Sequence, residues 1–168
     1  MCTIEQVNQQ CKSLNLASLL TALPELLQQA DANELSYLQY TQLLLAHEVK
    51  QRNDKRLAMN RRKAGFPVEK YLESFDYRHQ TTITKRQINQ LLDFDFIDNR
   101  NNLIFIGPPG VGKTHLSIGI GLKAVEAGYK VLFTNALSLT ETLELAELKG
   151  ELKKKIITLF FLPVGGQY

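Results

Sequence analysis

The sequence predicts an α/β chain, a helical N-terminal domain followed by an incomplete α/β core. Leucines recur at helical spacing from Leu16 to Leu45. A short apolar run, Leu103-Ile104-Phe105-Ile106, leads directly into a glycine-rich turn and a helix-compatible stretch. One helix length later a second β-prone run, Lys130 to Asn135, precedes another helical pattern. Strand, helix, strand, helix is how an α/β core opens. The expected organisation is a helical domain over 1–65, a linking segment over 66–102, a partial α/β domain over 103–155 and an atypical tail over 156–168.

Composition narrows the class. The chain has 168 residues, 44 % hydrophobic and 22 % charged, with a net charge of +3. That describes a globular polypeptide whose overall charge says little about nucleic acid. Cys2 and Cys11 have no metal or redox spacing, and their scarcity predicts reduced thiols and a cytoplasmic location. His47, His79 and His115 are scattered singles without a partner at ligand spacing, so no metal cluster is proposed from them. No basic-then-apolar leader opens the chain and no apolar run reaches the ~20 residues a bilayer span needs. No membrane partner is expected.

Taken in order, Thr3 to Gln29 reads as a helical hairpin arm, with Pro24 as a kink or break. Asp31-Ala32-Asn33 is a polar connection, and Ser36-Tyr37-Leu38-Gln39 is a capping box that opens the next helix. Leu38, Leu45 and Val49 are its expected inward face. Beyond His47 this helix turns basic: Lys50, Arg52, Lys55, Arg56, Arg61, Arg62 and Lys63 are opposed locally only by Asp54. Arg52, Lys55, Arg56, Met59 and Lys63 fall three and four apart, so several cations share one helical face, a spacing that suits either a solvated face or phosphate contacts along duplex DNA. Gly65-Phe66-Pro67 ends the helix.

Val68 to Tyr77 lacks a clean period and reads as a connector laid against the following domain, with Phe75 and Tyr77 packing into its core rather than flanking an adenine. Thr84 to Leu92 is a short helix, and Phe94 to Asp98 is its apolar exit. Asp95 and Asp98 are turn and helix-end residues. The run of Leu103 to Ile106 suits a buried parallel strand. After it, Gly107-Pro108-Pro109-Gly110-Val111-Gly112-Lys113-Thr114 has the spacing of a P-loop. Its glycines allow backbone N–H groups to converge on phosphate oxygens, and the helix that follows adds its positive end. The motif places the Lys113 ammonium at the β and γ phosphates of ATP and the Thr114 hydroxyl on Mg²⁺. A dinucleotide fingerprint, Gly119-Ile120-Gly121-Leu122-Lys123-Ala124, is rejected because it lies inside a helix. Gly128 caps that helix, and Ser138 or Thr140 caps the last one, which runs on to Leu152.

Phe66-Pro67, Leu72-Glu73-Ser74-Phe75-Asp76, Gly107 to His115 and Gly128-Tyr129-Lys130-Val131 together resemble IstB-type ATPases, the helper proteins of insertion-sequence transposition within the AAA+ group. The resemblance runs from about Leu14 to about Ile156. It implies a P-loop NTPase core of AAA+ type, with Gly107 to Thr114 and the adjoining His115 as the nucleotide-binding stretch and ATP with Mg²⁺ as cofactors. It also implies an N-terminal domain for self-association and for contact with double-stranded DNA or the transposase of the same insertion sequence. The family pattern continues with an Asp-Glu motif, a sensor residue and an arginine finger. No acidic strand end follows Thr114 here, so the expectation is a truncated, hydrolysis-deficient ATP-binding polypeptide. In that fold the P-loop strand lies between two strands that come later in sequence, so Leu103 to Ile106 is expected to lack both neighbours. A nucleotide-independent DNA- or transposase-binding helical module is the alternative. The tail Ile156 to Tyr168 is expected to be the product of a shifted reading frame, and the run Ile156 to Leu162 within it an extended, uncharged, aggregation-prone window.

Overall fold

The computed structural model describes residues 3–78 and 82–160, and every regular element among them is helical. The chain divides into two compact units, 1–56 and 57–168.

The first unit contains α1 (Ile4–Ser13), α2 (Ala17–Ala32) and the leading part of α3 (Tyr37–Ala64). Thr3 starts α1 through a reciprocal capping box with Gln6. Pro24 lies inside α2 without ending it, because Leu19, Leu23 and Leu26 bury one continuous stripe across it. The expected break is absent. Ser36 and Gln39 open α3 as their spacing predicts, with the Ser36 amide donating to Gln39 Oε1 at 2.8 Å.

The inward face of α3 differs from expectation. Leu38, Leu45 and Val49 are 80 %, 60 % and 58 % exposed, and Leu43 and Leu44 pack instead on Cys11, Leu19 and Leu26. Three consecutive leucines leave the phase of the helix open, and a buried carboxylate decides it. Glu48 accepts from the Ser18 hydroxyl and, at 2.7 Å, from Arg52 Nε, while Arg52 also donates to the Asn15 carbonyl at 2.9 Å. A polar residue that brings its own partners holds a position that hydrophobicity alone assigns to solvent.

The second unit begins with the last turns of α3, which Gly65 ends at a φ of +69°. A 3₁₀ turn (Leu72–Ser74), α4 (Lys85–Gln90), a second 3₁₀ turn (Leu91–Asp93) and α5 (Asp95–Asp98) lead to α6 (Lys113–Glu126). Leu72, Ile88, Phe94, Leu116, Ile120 and Ala124 form the core, with α6 through its centre. Phe75 and Tyr77 pack against that core, as their sequence setting predicts. Asp98 accepts the Tyr129 hydroxyl at 2.9 Å. After α6, Gly128 turns the chain at a φ of +96°.

The α/β core is not formed. Segments 103–106 and 130–134 have no strand assignment, and no sheet exists among the described residues. Both alternate in burial: Leu103 and Phe105 pack on the core, whereas Ile104 and Ile106 are 74 % and 92 % exposed. A strand requires a ladder as well as an extended backbone, and these two segments do not pair with each other. The Phe133 amide instead donates to the Ala64 carbonyl at 2.7 Å, at the end of α3. An apolar run expected to be buried on both faces is therefore buried on one.

The C-terminal pattern also differs. Asn135, not Ser138 or Thr140, caps α7 (Ala136–Leu148) by accepting from the Ser138 amide at 2.7 Å. Gly150, at a φ of +69°, separates α7 from α8 (Leu152–Phe160). Residues 156–160, expected to be extended, are helical. The helical spacing of Leu152, Ile156 and Leu159 outweighs their β propensity. Phe161 to Tyr168, like Cys2 and His79, lie outside the described residues.

Candidate functional site

The loop from Gly107 to Gly112 joins segment 103–106 to α6, and its backbone needs glycine at two points. Gly110 has a φ of +83° and Gly112 a φ of +91°, a region that side-chain-bearing residues rarely occupy. Gly112 is the N-cap of α6, so Lys113, Thr114 and His115 form that helix's first turn. The free amides of such a turn and the helix's positive end face the same direction, which is the physical basis for anion binding.

Lys113 is half-buried, and its ammonium lies over the loop, donating to the Gly107 and Pro108 carbonyls at 2.7 Å each. Thr114 is exposed. A Cβ built at Gly110 would meet nothing within 4 Å, so the loop is open on that side, whereas one at Gly107 would lie 3.4 Å from Val111 Cγ2. Behind the loop is a cavity of about 290 Å³ lined by Ile83, Gln87, residues 104–106, Val111, Lys113 and Leu116. Pro108 and Pro109 have no amide hydrogen, which leaves the loop's amide donors to the glycines, Val111 and the first turn of α6.

His115 turns away from the loop. Its Nε2 lies 2.9 Å from the Tyr71 carbonyl, and its ring meets Phe75 edge-on at 5.2 Å. Tyr71 in turn receives Arg61 Nη2 at 2.6 Å on its hydroxyl, and Arg61 pairs with Glu69 at 2.8 Å. One turn further along α6, Gly119 receives Leu72: a Cβ there would fall 2.5 Å from Leu72 Cδ2. Lys123 pairs with Glu73 at 3.2 Å. Residues 71–75 are thus pinned along α6 at three successive levels.

The basic run is divided by these contacts. Lys50, Arg52, Lys55 and Arg56 belong to the first unit and Arg61, Arg62 and Lys63 to the second. Arg52 is committed to Glu48 and Arg61 to Glu69 and Tyr71. Lys50, Lys55, Arg56, Arg62 and Lys63 are exposed and form no ion pair with a described residue.

Sequence reasoning missed the roles of Tyr71, Leu72 and Glu48. A usable signal existed for Leu72, since two glycines inside a helix, Gly119 and Gly121, cost stability unless something packs against them. Gly121 receives Phe66, whose ring carbons would lie 3.0 Å from an added Cβ. No group of three or more His, Cys, Asp or Glu among the described residues could hold a metal ion by itself. No described helix is long and apolar enough to cross a membrane.

Comparison with known proteins bears on the same residues. The family described as IstB-like ATP binding protein matches residues 9–164. A protein described as ATP-binding in insertion sequence IS5376 of Geobacillus stearothermophilus is 32 % identical over 152 residues, covering 90 % of this chain and 61 % of the relative. Its counterpart in IS21 of Pseudomonas aeruginosa is 36 % identical over 139 residues, covering 83 % and 52 %. That of IS1162 of Pseudomonas fluorescens is 34 % identical over 149 residues, covering 88 % and 63 %. The chain therefore spans between half and two thirds of the length of these curated relatives.

Proposed function

This chain belongs to the IstB-like ATP-binding protein family, and from that premise we propose that it binds ATP at Gly107 to Thr114 in the service of insertion-sequence transposition. The observation that carries the reading is the junction of loop and helix. Two glycines in left-handed conformation lead into α6, and the Lys113 ammonium is already poised over the loop. Bound phosphates would replace the Gly107 and Pro108 carbonyls as acceptors for that ammonium, while the amides at the start of α6 would donate to phosphate oxygens.

Mg²⁺ fits this arrangement as an ion held mainly by the nucleotide. Without an acidic cluster among the described residues, the protein's share would be the exposed Thr114 hydroxyl, and Mg²⁺ typically keeps waters and phosphate oxygens as its remaining ligands. The ion would supply charge neutralisation at the phosphates. Within the 168 residues no apolar run after Thr114 ends in Asp or Asp-Glu. This polypeptide by itself is accordingly a binder with negligible turnover.

The test measures binding of a fluorescent ATP analogue and phosphate release together on the 168-residue chain. Lys113→Ala should weaken binding at least about tenfold, the worth of one charge-assisted contact to phosphate. Omitting Mg²⁺ should also weaken it. Undiminished binding by Lys113→Ala would remove the loop from the proposal, and robust phosphate release would refute the absence of turnover.

A second component concerns partners. The exposed cations Lys50, Lys55 and Arg56 favour contact with the phosphates of duplex DNA, and the relatives' place in insertion sequences favours the transposase of the same element as a protein partner, with self-association an expectation from the family resemblance alone. A cytoplasmic location accompanies that role.

A further inference from the structure

Phe75 lies against the loop from behind. A Cβ at Gly112 would fall 2.4 Å from Phe75 Cε2 and 3.0 Å from Cζ, so the ring edge fills the space a side chain would otherwise take. Gly112 is the most demanding position of the loop. It has the larger positive φ of the loop's two left-handed glycines, and it sets the direction in which α6 begins.

The ring is held from several sides. Tyr77 meets it at 4.8 Å with an interplanar angle of 71°, and His115 meets it at 5.2 Å and 84°. His115 is fixed in turn by the Tyr71 carbonyl at 2.9 Å. The Phe75 amide donates to the Leu72 carbonyl at 3.2 Å, and buried Leu72 is seated at Gly119. Edge-to-face aromatic pairs restrict ring orientation as well as adding contact area, so the ring edge stays where Gly112 needs it.

The loop's other support is conditional. Lys113 holds the Gly107 and Pro108 carbonyls, and a phosphate that draws the ammonium away removes both hydrogen bonds. The contact of Phe75 with Gly112 contains no polar group for which a phosphate competes. Exchange of partners by Lys113 leaves it without a competitor.

We infer that Phe75 is a positioning residue for nucleotide: through Gly112 it holds the start of α6 in the conformation that presents its amides to phosphate while Lys113 changes partners. This rests on the nucleotide reading above and assigns that site a support that lies outside the P-loop itself. Phe75 does not touch the phosphates. Its removal should loosen the amide cradle, and loosened cradles bind poorly.

The test is equilibrium binding of a fluorescent ATP analogue with Mg²⁺ to the full 168-residue chain, with circular dichroism and thermal unfolding run in parallel. Phe75→Leu should raise the dissociation constant about tenfold while the helical signal stays at the parent value. Tyr77→Leu, which withdraws a support of the ring without touching the loop, should weaken binding in the same direction and serves if Phe75→Leu fails to fold. Val125→Ala, buried at the end of α6 away from the loop and in no contact used to hold Phe75, is the packing control, and should lower the thermal midpoint with an affinity within about twofold of the parent. A double-mutant cycle adds the specific signature. Gly112→Ala should weaken binding less when added to Phe75→Ala than in the parent, because the clash is gone and only the left-handed strain remains. If Lys113→Ala loses binding while Phe75→Leu binds as the parent does, the nucleotide site stands and the role of Phe75 falls. Strict additivity in the cycle, or Val125→Ala weakening binding as much as Phe75→Leu, would overturn it too. A parent chain that binds no analogue would overturn both readings together.

Discussion

Glu48 shows what a single residue can decide. It is buried, yet it accepts from Ser18 and Arg52, and those two bonds, Ser18 first, hold its carboxyl below the ordinary value of 4.5. A depressed carboxylate favours the folded chain whenever it is ionised in both states. The contribution is therefore whole above about pH 5, begins to fade as the unfolded chain takes up a proton near 4.5, and is lost as pH falls through the lower folded value. Glu48→Gln should cost about 1–2 kcal/mol at neutral pH. The gap in thermal midpoint between parent and variant should then narrow as the buffer is taken from pH 6 towards pH 3. A gap that stays constant across that range would show that Glu48 acts by shape alone. Lys113 stood out in the sequence, because three glycines at fixed spacing before Lys-Thr have few other uses, and its ammonium lies over that loop. The burial of Glu48 did not, since Arg52 four residues on is an ordinary helical ion-pair spacing, while the second partner, Ser18, comes from another helix thirty residues away.

Elements were legible where their signals are local. The capping box at Ser36, the start of a short helix at Thr84 and the glycine stops at Gly65 and Gly128 involve residues a few positions apart and lie where the pattern puts them. Over 103–106 the expected buried strand is replaced by an alternation of half-buried and exposed residues without secondary structure. The sheet is not local, because a ladder depends on what lies alongside, and the described residues supply no neighbour. Helix α6 offers a test at this scale. In a helix interior Gly→Ala ordinarily gains about 1 kcal/mol. At Gly119 the new Cβ would meet Leu72 Cδ2 at 2.5 Å, Leu72 Cγ at 2.8 Å and the Lys70 carbonyl at 3.3 Å. Leu72 is buried and cannot turn aside, so overpacking of about 1–3 kcal/mol outweighs the helical gain. Gly119→Ala should lower the midpoint of urea unfolding, and Gly121→Ala should lower it less, because the half-buried Phe66 ring at 3.0 Å has room to shift. A stabilised Gly119→Ala would mean that the connector 70–75 does not seat on α6.

At the scale of the whole molecule, charge distribution matters more than the net charge of +3. Acids offset much of the chain's positive charge, and two of the seven cations in the basic run of α3 are tied up: Arg52 by Glu48 and Arg61 by Glu69. That changes which substitutions can test for DNA. Arg52→Glu would put a second carboxylate beside Glu48 and disturb the first unit's packing, so a loss of binding there could be a loss of fold. Lys50, Lys55 and Arg56 are exposed and form no ion pair with a described residue, and Lys55 is the weakest of the influences on Glu48, so reversing the three disturbs the first unit far less than Arg52→Glu would. If they contact DNA phosphates, retention of duplex DNA should fall steeply with added salt and vary little with sequence, because backbone contacts act through counterion release. Reversing all three to Glu should weaken retention at low salt by at least about tenfold and flatten the logarithmic salt slope by up to about three, roughly one unit for each phosphate contact removed. The thermal midpoint should remain close to that of the parent, which separates lost contact from lost fold. Unchanged retention with an unchanged slope would leave these side chains as the solvated face of a helix, and the search for a DNA surface would move to Arg62 and Lys63 in the second unit.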